Sequence, residues 1–190
     1  MGCGAFVGGL FRGTPAGAVS CFYLVLLKPP KNAGIADWGG VVKMKSPDPD
    51  VKILDAVLQE VSLGNRDAYD YMWVWIQATR LIDDLFDEID TWKDENTYEL
   101  AQRLLFELPA NSFFCANSSA LLPHHLTVLN AWRDSNEWKK SGDKAKELHA
   151  FVICEQTADI FILVAYLTGG YNHMRKVSLM VRELFLKEEL

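Results

Sequence analysis

Apolar positions from residue 46 onward repeat at helical spacing. Val74, Trp75, Ala78, Leu81, Ile82, Leu85, Ile89 and Trp92 recur at steps of three and four. That pattern predicts the buried face of a long helix over about 66–92. Gln77, Arg80, Asp84, Asp87 and Thr91 fall on its other side. Upstream, Ile53, Leu54, Val57, Leu58 and Val61 predict a shorter helix over 51–62, entered through the turn formers Ser46 to Asp50. Gly64-Asn65 separates the two, and Asn65 suits the cap of the second.

Downstream, Asn96 and Glu99 have the spacing of a capping box and open a third helix to Glu107, closed by Leu108-Pro109. Residues 110–122 show no clear period and read as a structured loop anchored by Phe113 and Phe114. Pro123 fits the first turn of a fourth helix, to about Trp138. A fifth, over Lys144 to Thr168, is apolar nearly all round and should be central. Gly169-Gly170 ends it, and Ser178 can cap a final helix. No alternating strand pattern and no internal repeat is visible. The expected architecture is all-α, an irregular bundle of five to six helices in one domain over 46–190.

The first 45 residues have a different texture. Nine of the thirteen glycines lie between Gly2 and Gly40, and Arg12 is the one charge before Lys28. The apolar run Ala16–Leu27 has 12 residues, whereas a spanning helix needs about 20. Phe6 stands where an acylation signal wants Ser or Thr. Residues 1–45 therefore read as a loosely ordered extension, with Met44 resembling a natural start. No transmembrane segment is expected.

Composition narrows the function classes. With 49% hydrophobic and 12% aromatic residues in 190, the chain can bury a core. Its net charge of −6 argues against a nucleic-acid partner, which needs a basic face. Cys3, Cys21, Cys115 and Cys154 form no CxxC pair and read as buried, reduced thiols of a cytoplasmic protein.

The candidate chemistry is acidic. Asp83, Asp84, Asp87, Glu88 and Asp90 fall within eight positions, and Asp83/Asp87 and Asp84/Glu88 are stacked one turn apart. Such like-charge pairs weaken a helix by a few tenths of a kcal/mol. Glu155 and Asp159 repeat the spacing inside the apolar fifth helix. If the two helices pack antiparallel, these carboxylates converge and need cations. An oxygen-rich, histidine-poor set suits Mg2+, which bridges to substrate phosphates. Arg80, Arg175 and Lys176 would then meet phosphate oxygens. The plain alternative is a solvated acidic face beside Arg80, with Glu155 and Asp159 paired to Arg80, His149 or a lysine. His124, His125, His149 and His173 lack zinc-site spacing, and His124-His125 reads as surface at the start of the fourth helix. No nucleophile elbow, Walker loop or dinucleotide fingerprint occurs. The tryptophans and Phe113-Phe114 read as core.

Asp83-Asp84-Leu85-Phe86-Asp87-Glu88 resembles the DDxxD(E) motif of class I isoprenoid synthases. That resemblance implies Mg2+ held by the aspartates against a substrate diphosphate. The family's second acidic motif is absent, with Glu155 and Asp159 in its place. The all-α nucleotide pyrophosphohydrolases also bind Mg2+ on facing helices, though their acidic spacings differ from these. A broader resemblance, over about 60–185, is to small uncharacterised bacteriophage or prophage proteins. It is carried by Asp83-Asp84-Leu85, Leu108 to Phe114, Asn130 to Glu137, Ala150 to Val152, Gly169 to Tyr171, Val177-Ser178 and Val181-Arg182. It places the protein in a host cell cytoplasm and supplies no activity.

Two functions are compatible with these residues. One is a Mg2+-dependent enzyme acting on a diphosphate or nucleotide. The other is a non-catalytic helical protein that binds a host or virion partner. An open cleft lined by Glu155, Asp159 and the second helix would favour the first; closed ion pairs would favour the second.

Overall fold

The computed structural model describes residues 49–87, 89–154 and 156–186, all in helices and turns with no strand among them. The expected extension, the turn at 46–48, Glu88, Glu155 and residues 187–190 lie outside the described residues. The order is α1 (Pro49–Ser62), α2 (Arg66–Asp87), a 3-10 turn (Ile89–Thr91), α3 (Asp94–Gln102), a π turn (Arg103–Glu107), α4 (Leu108–Ala110), α5 (Ser112–Lys139), α6 (Lys144–Cys154) and α7 (Thr157–Leu186). The all-α expectation holds. As anticipated, Asn65 caps α2, its Oδ1 accepting from the Ala68 N–H at 3.0 Å.

The largest departure is at 110–122, which is helix and not loop. Asn111 is extended (φ −73°, ψ 123°), and its side chain accepts from the Phe114 N–H at 2.9 Å. That starts α5 at Ser112, eleven residues before Pro123. The same side chain donates to the Asp67 carbonyl at 2.9 Å, tying the start of α5 to α2. Past the cap, Phe114, Leu121, His125, Val128, Trp132 and Ser135 form one buried line. Pro123 lies inside this helix on its exposed side, so the lost backbone donor faces solvent.

The third helix differs at both ends. It starts at Asp94 without the expected capping box, and the Asn96 N–H bonds to the Lys93 carbonyl at 3.0 Å. It then runs through the π turn into α4. Pro109 sits in the first turn of α4, where its missing N–H is not needed.

The expected fifth helix divides into α6 and α7, and α7 folds back on itself. Gly170 has φ 73° and ψ −172°, a conformation few residues but glycine adopt. Arg182 and Asp159 form an ion pair at 2.8 Å, whereas a straight helix would hold them about 34 Å apart. Residues 157–169 and 171–186 are thus two antiparallel arms. The second begins at the elbow, so Ser178 is a buried interior residue and not a cap. Thr168 and His173 both hydrogen-bond the Val61 carbonyl, each at 3.1 Å, pinning the elbow to the end of α1.

α7 packs chiefly on α1 and α6 on α5, with α2 touching α1, α5 and α7. The core joins Leu54, Leu58, Tyr71, Leu121, Phe161 and Val181 from α1, α2, α5 and both arms of α7.

Candidate functional site

The acidic residues separate in space. The buried face of α2 runs through Tyr71, Met72, Trp75, Ile76, Thr79 and Asp83. It is rotated from the expected stripe, so Leu81, Ile82 and Leu85 are half-buried and Ile89 is exposed. Thr79 is tolerated inside because its hydroxyl donates to the Trp75 and Ile76 carbonyls, both at 3.0 Å. Asp83 follows one turn later and is buried, Asp84 sits at the rim and Asp87 is exposed.

On α7, half-exposed Asp159 accepts from Arg182 at 2.8 Å, and not from Arg80, His149 or a lysine. Lys176 is engaged by Glu60 of α1 at 2.6 Å, which holds the Glu60 carboxyl below its ordinary range. Arg175 is exposed and Arg80 half-buried. Lys176 and Glu60 border a shallow groove whose other lining residues are Ile53, Ala56, Val57, Val177 and Met180. Among the described residues, no three His, Cys, Asp or Glu side chains are placed to hold one metal ion. Glu88 and Glu155 lie outside that set.

The titratable centre that the fold does assemble was expected at the surface. His125 is buried at 9% exposure, because α5 begins early enough to place it mid-helix between Leu121 and Val128. Its ring stacks on Trp75 with centroids 3.9 Å apart and 17° between planes. Tyr71 and Phe114 lie parallel to it, each at 6.0 Å. The Tyr71 hydroxyl and His125 Nε2 share a hydrogen bond of 2.5 Å. Burial, and secondarily the neighbouring His124, push His125 down to about 4. Burial also raises the Tyr71 phenol above its usual value. Both are therefore neutral near pH 7, as a hydrogen-bonded pair closed in by aromatic rings must be. The pair joins α2 to α5 through a buried hydrogen bond and works as a structural link between them.

The cysteines do not share one environment. Cys154 is buried. Cys115 is exposed and free, its thiol donating to the Pro109 carbonyl at 3.0 Å, which corrects the expectation of four buried thiols.

A surface feature went unread in the sequence. The outward side of α5 presents Ser112, Cys115, Ala116, Ser119, Leu122 and Leu126, continuing to Leu129 and Asn130. Leu122 is 50% exposed, Leu126 69% and Leu129 44%. No Asp, Glu, Lys or Arg occurs between Glu107 and Arg133. That gap was legible in the chain, but assigning 110–122 to a loop concealed that it forms a helix face.

Within Lys144–Leu184, the most apolar window reaches a mean hydropathy of 1.7, enough by length and composition to cross a bilayer. Of that window 47% is buried inside the fold, where Ile160, Phe161, Val164 and Ala165 join the core. Comparison with protein-family models, curated proteins and solved structures finds no match.

Proposed function

We propose that this chain is a non-catalytic helical protein that acts by binding a protein partner on the outward face of α5. The observation that carries this reading is the uncharged, leucine-bearing surface from Ser112 to Asn130. Soluble surfaces are rich in Lys, Arg, Glu and Asp, while the cores of protein interfaces are depleted of charge. α5 buries one side, through Phe114, Leu121, His125 and Val128, and leaves the leucine-bearing, uncharged side exposed. The resemblance to small bacteriophage proteins supplies the setting, a host cell.

The ion pairs weigh the same way. Asp159 and Lys176, expected at a metal-diphosphate site, are held by Arg182 and Glu60. The Mg2+ reading keeps its motif, Asp83-Asp84-Leu85-Phe86-Asp87, and gains no geometric support from the described residues.

Photo-crosslinking from position 126 of the full chain in cells tests the reading. The expected result is one adduct of defined mass, lost on Leu122→Glu and absent when the probe sits at exposed Glu147 of α6. Indiscriminate adducts at both positions, or none at 126, would reject it.

A further inference from the structure

The α5 face has a polarity of size. Its N-terminal half presents small side chains, Ser112, Cys115, Ala116 and Ser119. Its C-terminal half presents large ones, Leu122, Leu126 and Leu129. Two copies laid antiparallel would set leucines of one against small residues of the other, and a twofold axis near the middle would make both halves of the contact identical. A parallel pair would instead oppose leucine to leucine and leave the small half unfilled. Interdigitating large with small is how helix interfaces reach close packing.

Charge points to the same occupant. The chain carries a net −6, so two copies repel through most of their surfaces. The face between Glu107 and Arg133 holds no formally charged Asp, Glu, Lys or Arg, so it can meet its own copy without like-charge opposition. We infer that the partner on this face is a second copy of this chain, joined through antiparallel α5 helices. This rests on the reading of α5 as a protein-binding face and names its occupant.

Area sets the strength. From Ser112 to Asn130 the stripe is about 27 Å long and one helix wide, roughly 300 Å2. Standard stable interfaces bury about 800 Å2 per partner. The pairing is therefore weak, reversible and concentration-dependent.

The experiment is sedimentation velocity on the purified full chain from about 1 to 200 µM, spanning the affinity expected of so small an interface. Weight-average mass should rise from one chain toward two. Leu126→Glu should remain monomeric throughout, with circular dichroism and melting at low concentration unchanged. Ser119→Leu, which fills the small half, should shift dimerisation to at least tenfold higher concentration. A wild type that stays monomeric overturns the inference, as does a dimer indifferent to both substitutions. A monomer that binds neutral phosphatidylcholine vesicles through Leu126 also overturns it and assigns the face to lipid. A heterologous adduct from position 126, with a monomeric purified chain, would sink this inference while leaving the reading of the face intact.

Discussion

The aromatic-histidine centre and the acidic turn of α2 lie on the same helix and behave oppositely. Around Tyr71 and Trp75, polar atoms are enclosed by rings and by α5. Around Asp84 and Asp87, the carboxylates reach the rim and then solvent. The acidic turn is the louder signal in the sequence, yet beyond Asp83 it opens to the rim and solvent, whereas His125 of the quiet His124-His125 pair is enclosed by aromatic rings. Burial, not the type of residue, decides which polar group carries stability. A buried hydrogen bond is costly to break, and an exposed carboxylate exchanges protein for water at little loss.

The largest effect should come from Trp75→Ala. Trp75 is buried and stacked at 3.9 Å on His125, so its removal should cost about 3–5 kcal/mol, read by urea unfolding at pH 7. A loss below 1 kcal/mol would mean that α2 and α5 do not depend on this contact, and the contrast with the acidic turn would collapse.

Next in size is the dependence on pH. The folded His125 titrates near 4, below its ordinary 6.5, so the unfolded chain takes up the proton first as pH falls. The contribution is complete above about pH 6.5, declines between 6.5 and 4, and levels off below. The depression corresponds to on the order of 3 kcal/mol. Urea midpoints measured from pH 7 to pH 4 should fall accordingly, and less steeply in His125→Gln. An equal slope in both proteins would remove His125 as the cause.

Tyr71→Phe isolates the polar half of the same centre. It preserves the ring against Phe113 and Phe114 and removes the hydroxyl from His125 Nε2. The expected cost is about 1–3 kcal/mol, since one buried acceptor loses its partner. In the variant, histidine NMR should show the His125 ring with altered nitrogen shifts. Unchanged stability and shifts would show that the bond carries nothing.

Much of the helical architecture was legible because apolar spacing and caps are local signals. Asn65 and the Gly169-Gly170 stop behaved as read, with Gly170 at positive φ. The start of α5 was not, because its cap is a single Asn followed by two phenylalanines and small residues, a composition shared with loops. That one boundary hid two other facts: the burial of His125 and the continuity of the uncharged face. The rotation of α2 was illegible for a different reason. Thr79 and Asp83 look polar, and only packing against other helices selects which stripe turns inward. The partner of Asp159 could not be read either, since Arg182 approaches it through the fold-back at Gly170.

The smallest effect should come from Asp159→Asn, which probes the charged side of the comparison. Asp159 and Arg182 are paired at 2.8 Å with side chains 33% and 50% exposed. Solvent screens such a pair, and breaking it costs about 0–1 kcal/mol. A buried pair would have cost several times more, because an uncompensated charge would be stranded inside. Here Arg182 can turn to water. Thermal unfolding of wild type and Asp159→Asn, each in EDTA and in millimolar Mg2+, should therefore give a small drop in melting temperature of similar size in both conditions. Converging carboxylates bound to Mg2+ would give another pattern. Wild type would gain stability with Mg2+ by mass action, while the variant would gain less and would be the more stable protein in EDTA because one repelling charge is gone. That outcome would break the comparison, because the acidic turn would then be the part of α2 whose polar groups are held by a bound partner.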